Sequence, residues 1–268
     1  TAHVGAGGGA HMCTLNACTV LCNVATQAGA GVGYMSTAND CLIASNSATM
    51  GGGADFSTLT RCTVADNIAS NVGGGTSQGT INLCIVRGNR ARDGGGTWNG
   101  TVNNCLITDN TAGNRGGGAY CSGYQYLNNC TLSANHASEG SAVYLTNGSV
   151  RNCIAYGNGP TNWAGGGNVV CCCMTPLAPG AGNISDDPQF NDDAHGDYRL
   201  LVSSPCVNAG SNAFVTWDMD LDNNSRVMDG WVDMGCYEYV PEPTALLLAL
   251  AAAAVVRRVS RTRRARTT

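Results

Sequence analysis

Seven cysteines, Cys18, Cys41, Cys62, Cys84, Cys105, Cys130 and Cys153, are separated by 23, 21, 22, 21, 25 and 23 residues, and their surroundings recur with them. Three residues before each stands Leu15, Ala38, Leu59, Ile81, Val102, Leu127 or Val150. Two residues after stands Val20, Ile43, Val64, Val86, Ile107, Leu132 or Ala155. The fifth residue after each is always Asn: Asn23, Asn46, Asn67, Asn89, Asn110, Asn135 and Asn158. The seventh is Ala until Pro160 breaks the column. Gly runs at 51–53, 73–75, 94–96 and 116–118 close the unit. A unit of about 22 residues cannot bury its own apolar face and must stack on its neighbours.

The two-residue spacing of Cys and the following aliphatic puts both on one side of a strand. No helical stripe appears before residue 240. Short strands joined by Gly- and Asn-rich turns predict an all-β chain, a right-handed parallel β-helix over residues 1–185 in which identical positions form ladders about 4.8 Å apart. Leucine-rich repeats share the period but need Leu at several fixed places and a helical return, and neither is present. The motif N-x-C-x-[ILV]-x-x-N-x-A…GGG resembles the parallel β-helix proteins of the pectin-lyase-like superfamily over roughly residues 5–200. Within that superfamily the resemblance is strongest to bacterial surface proteins with degenerate coils. The opening inside a coil, at Gly7–Gly9, implies a covered end missing from this sequence, hence N-terminal truncation.

The Cys ladder reads as small apolar core filling, because stacked Cβ atoms about 4.8 Å apart exceed disulfide spacing and a line of thiols does not converge on a metal. Cys206 and Cys236 lie outside the column, where export would allow a bridge. The Asn column reads as amides hydrogen-bonded from coil to coil.

Charge narrows the function classes. All 14 basic residues are Arg, which removes phosphate-loop and Schiff-base lysine chemistry. Residues 1–239 hold 8 Arg against 17 acidic groups, a balance near −9, so nucleic acid is not the expected partner. The superfamily resemblance implies, as the catalytic alternative, a polysaccharide lyase or a glycoside hydrolase. Asp66 and Asp109 share a column two coils apart, roughly 9.6 Å, and are the weak candidates for a carboxylate pair. With Ser45, Gly88 and Ala134 beside them, no acidic cleft is evident. The histidines share no spacing, and the G-x-S-x-G match at 75–79 lies in a turn rather than between strand and helix. Tyr34, Phe56, Trp98, Tyr120 and Tyr144 follow several of the Gly runs. Pointing inward they are core, the ordinary place for such rings. Pointing outward they form a stripe for stacking sugar rings.

Residues 186–239 change character. D-P-x-F at Asp187, G-D-Y-R-L at Gly196, S-P-C-V-N-A-G at Ser204 and D-M-G-x-Y-E at Asp233 resemble the choice-of-anchor end module of such proteins, which implies a cap that finishes the β-helix. Asp218, Asp220, Asp222, Asn224 and Asp229 are spaced like oxygens of a Ca²⁺ loop; an Asp-rich turn bonded to Arg226 is the competing reading. From residue 240, Pro241-Glu242-Pro243, an apolar run and Arg257-Arg258 resemble the PEP-CTERM sorting signal. That resemblance implies cleavage by an exosortase-type membrane protease and export in a Gram-negative bacterium. The expected function is a non-catalytic cell-surface or matrix rod that binds or organises extracellular polysaccharide; a purely adhesive rod is the other alternative.

Overall fold

The computed structural model describes residues 8–123 and 125–241. The chain divides into two units, residues 1–238 and 239–268, and the first is an all-β parallel solenoid of coils about 22 residues long. Each coil has four sides. The first carries Thr14–Asn16, Thr37–Asn39, Thr58–Thr60, Thr80–Asn82, Thr101–Asn103 and Tyr126–Asn128, paired in parallel and in register. The second begins at Thr19–Leu21 and ends at Cys173–Met174, eight strands in all. The third holds Ser47–Met50, Ile68–Val72, Arg90–Asp93 and Thr111–Arg115, and the fourth runs from Ala10–His11 to Ala119–Ser122. The long strands Val143–Arg151 and Trp163–Val170 pass through the corner between the fourth and first sides and join both into one sheet.

Each corner turns on one residue in the left-handed region. Asp40, Arg61, Leu83, Asn104 and Asn129 do so before the Cys, with φ of 50–54°. Ser45, Asp66, Gly88 and Asp109 do so before the Asn, and Phe56, Gln78 and Asn99 at the fourth corner. Only the third corner uses Gly throughout this stretch, for a steric reason beyond φ: a Cβ on Gly95 would sit 2.5 Å from the carbonyl oxygens of both Thr111 and Gly117.

The residue after each of the first two corners points inward. Asn46, Asn67, Asn89 and Asn110 form an amide ladder in which each Oδ1 accepts both the main-chain and the side-chain N–H of the Asn one coil earlier, at 2.9–3.0 Å. The ladder continues through Asn135 and Asn158. A shorter second ladder links Asn82, Asn103 and Asn128.

The cysteines do more than fill space. Those of the repeat column stand at the first corner rather than inside a strand, and several are hydrogen-bonded: Cys105 Sγ accepts the Cys84 N–H at 3.3 Å and donates to the Asn103 carbonyl at 3.1 Å, and Cys153 repeats this with Cys130 and Arg151. Burial pushes the Cys105 thiol well above its ordinary value, which keeps the proton it donates. All fifteen cysteines are free thiols, Cys206 and Cys236 among them, so the bridge that export would allow is not formed.

The segment expected to cap the rod lies elsewhere. Residues 175–185 close the last coil: Cys171 N–H donates to the Ala181 carbonyl, Ile184 N–H to that of Cys172, and Asn183 Oδ1 accepts the Cys172 N–H. Residues 186–238 instead fold back along the outside. Tyr198, Cys236 and Tyr237 pack on Leu106, with Ile85 beside them. Gly235 N–H reaches the Asn152 carbonyl at 2.8 Å, Cys236 N–H reaches Thr131 Oγ1, and Trp217 Nε1 donates to Asn82 Oδ1. The outer apolar groups Ile85 and Leu106 need cover, and this segment supplies it.

Candidate functional site

Strand alternation on the fourth side sends Ala54, Thr76, Thr97, Ala119 and Val143 inward, and therefore Asp55, Ser77, Trp98, Tyr120 and Tyr144 outward in register. The aromatic residues are thus not core. Trp98, Tyr120 and Tyr144 stand part-exposed in one column, stacked with centroids 6.4 and 5.3 Å apart. Tyr34 and Phe56, 44% and 45% exposed, make a second, edge-on pair at 5.7 Å. The Arg115 guanidinium lies over both Tyr120 and Tyr144 at 5.3 and 5.1 Å, and is oriented by the buried Asp93, whose Oδ1 accepts from Nε at 3.1 Å. Stacked neighbours cover much of each other's faces, so what the column offers a ligand is chiefly ring edges and the end faces of the stack.

At the adjoining fourth corner the left-handed residues Phe56, Gln78 and Asn99 fan their side chains out over successive coils. With Thr80, Ser122 and Gln125 they line an open groove of about 590 Å³. Asn99 Oδ1 accepts both the main-chain N–H and the hydroxyl of Ser122 at 2.8 Å, which turns its own NH₂ outward. Of the predicted stacking residues, only Phe56 reaches this groove; Trp98, Tyr120 and Tyr144 do not line it. Gln78 and Asn99 share a column with Phe56, three residues past the Gly runs, but have no common chemistry with it, and Ser122 and Gln125 lie outside that column, so the sequence reading passed over all four. The alternation of each ring with a small inward residue was the available sign that the rings face out.

Asp55 heads the outward column and is almost fully buried, with no hydrogen-bond partner for Oδ1 among the described residues. Burial pushes its carboxyl up to about 6, while the Ser77 hydroxyl beside it pulls the other way. A carboxyl raised in the folded state stabilises fully only below its unfolded value near 3.9, and that stability is lost as pH rises through 6. Asp55→Asn should therefore match the parent in urea unfolding at pH 4 and exceed it by roughly 2–3 kcal/mol at pH 8. An equal difference at both pH values would assign the effect to packing instead.

Asp66 and Asp109 are exposed corner residues on either side of Gly88, with Asp66 Oδ1 lying over that glycine; no third carboxylate joins them. The calcium-loop residues do not converge. Both Asp220 oxygens are taken, Oδ1 by the N–H groups of Asp222 and Asn224 and Oδ2 by Glu238 N–H and the Asn224 amide. Asp222 is held by Arg199 at 2.6 and 2.9 Å, while Asp218 and Asp229 are exposed. Among the described residues no group of three or more His, Cys, Asp or Glu could hold a metal ion. The spacing produces an Asp220-centred turn because backbone N–H donors reach its carboxylate first. Arg226, the expected partner, bonds the Asp233 and Gly235 carbonyls through its side chain and Asp218 only through its N–H. Glu242, Pro243, Arg257 and Arg258 lie outside the described residues; Pro241 is their last described neighbour. No protein-family model matches this chain, and no curated protein matches it.

Proposed function

We propose that this chain is an exported, non-catalytic β-helix protein that binds or organises extracellular polysaccharide at the surface of a Gram-negative bacterium. The observation that carries the reading is the outward aromatic column flanking a polar groove on a rigid face. A solenoid repeats its surface every coil, so a polymer lying along it meets equivalent groups in succession. The tail, with its Pro241-Glu242-Pro243 motif and Arg cluster, supports the address through its likeness to a sorting signal cut by a membrane protease.

Affinity electrophoresis in gels cast with a panel of polysaccharides tests this, with assays for new reducing and unsaturated ends run alongside. Retardation without released ends is expected, weakened about tenfold by Phe56→Ala, a change worth about 1.4 kcal/mol. Released ends that vanish with Asp66→Asn or Asp109→Asn would make the protein a hydrolase or lyase. No retardation by any polysaccharide would leave an adhesive rod.

A further inference from the structure

We infer that the groove at the fourth corner takes a neutral, extended saccharide chain lying along the rod axis and reads it with amides and hydroxyls rather than with charge. The inference rests on the polysaccharide-binding reading and adds ligand class, location and direction to it.

The lining decides the class. None of the ten described residues that line the groove is ionisable. The donors and acceptors are the Gln78 and Gln125 amides, the Asn99 NH₂, and the hydroxyls of Thr58, Thr80 and Ser122. The Gln78 and Gln125 side chains have no hydrogen-bond partner among the described residues, although both are half-buried, so their polar groups are free to meet a ligand. A sugar hydroxyl both donates and accepts, which matches an amide; a uronate or sulfate only accepts and needs a cation to replace its lost hydration. Among the described residues the groove lining offers no cation. The acidic residue next to the lining in sequence is Asp55, whose carboxylate repels an anionic chain when charged.

The direction follows from the coils. The lining comes from four successive coils, at Phe56–Thr58, Gln78–Thr80, Asn99, and Ser122, Gly123 and Gln125. Three coil steps at about 4.8 Å span roughly 14 Å, which accommodates a short run of sugar units laid along the axis. The half-exposed Phe56 ring stands at one end of that path as an apolar platform for a sugar face.

Two substitutions test this without disturbing the fold. Gln78 has φ of 46°, so Gln78→Gly removes the amide while easing the backbone; Gln125→Ala removes the second amide. The probes are xyloglucan and dextran as neutral chains, polygalacturonate and alginate as acidic ones. The full chain should bind a neutral probe with an affinity that barely changes from about 0.05 M to about 0.5 M NaCl. The paired substitution should weaken it at least roughly tenfold, with unchanged thermal unfolding. Binding confined to acidic probes and falling steeply with salt would overturn the neutral assignment and leave the polysaccharide reading standing. Neutral binding indifferent to both substitutions would overturn the groove. Failure to bind any of the four, together with an unresponsive wider panel, would remove the polysaccharide reading itself.

Discussion

Asn89→Ala is expected to lower the stability of the solenoid by about 3–5 kcal/mol, with Asn23→Ala costing under about 1 kcal/mol. Asn89 is fully buried in mid-ladder. Its Oδ1 accepts both the Asn67 main-chain N–H and the Asn67 amide at 3.0 Å, while its Nδ2 donates at 2.9 Å to Val64 O and Asn110 Oδ1. Alanine strands the buried Asn67 N–H and removes three further bonds. Asn23, in the first described coil, donates through its side chain to Asn46 alone among the described residues, and its main-chain bond survives the change. Urea unfolding of both variants decides it. Equal small losses would mean that the strand ladders carry the solenoid and the amides merely follow. Asn89→Asp separates bonding from volume: it keeps the acceptor, loses both donors and sets a carboxylate against Asn110 Oδ1, so it should cost at least as much as alanine.

Arg226→Met is expected to cost about 3–5 kcal/mol, felt by residues 186–238 and not by the coils. The Arg226 side chain is fully buried. Nη2 donates to the carbonyls of Asp233 and Gly235, and Nη1 stands 3.3 Å from Glu238 Oε1, itself 1% exposed. Met supplies the volume but leaves Glu238 with only the Asp233 N–H. Burial already pushes the Glu238 carboxyl up to about 8 against the opposing pull of Arg226, so in the variant it is driven further toward the protonated form. A carboxyl raised above its unfolded value near 4.5 stabilises fully below that pH and loses stability as pH rises toward its folded value; parent and variant part only where the parent's carboxyl ionises, so this share of the defect should grow above about pH 8 and vanish below it, leaving the lost Arg226 bonds. Hydrogen exchange locates the effect: protection of amides such as Cys236 and Gly235, which bond the coils, should collapse while the Asn ladder amides stay protected. Arg226→Met with Glu238→Leu together should restore most of the loss, since a well-packed apolar pair replaces a buried ion pair at little cost. A single variant as stable as the parent at every pH would remove the pair from any structural role.

Much of the rod was legible because its order is local and repeated. Cys105, Ile107 and Asn110 sit at fixed offsets, and stacking in register converts each offset into a column, so ladder and core follow without knowledge of the third dimension. The corners were legible only in part. Gly runs announce themselves, but Asp40, Arg61 and Leu83 all adopt the left-handed region at one corner with no common chemistry, because the flanking strands and the inward Cys impose it. Asp66 and Asp109 invited a catalytic reading for the same reason: a column says which residues share a line, not that the line is the outside of a bend.

The sequence by itself determined the repeat, the parallel strands, the inward Cys and Asn and the absence of lysine chemistry, since each depends on periodicity or residue type. Tertiary structure alone decided that residues 186–238 lie along the rod rather than across its end, that Asp220 spends its oxygens on backbone N–H groups, and that Phe56, Gln78, Asn99, Ser122 and Gln125 meet in one groove. These depend on contacts between residues up to 135 positions apart, as between Trp217 and Asn82, where no period links the partners. Packing of exposed apolar and polar surface settles them, and that surface exists only once the coils have stacked.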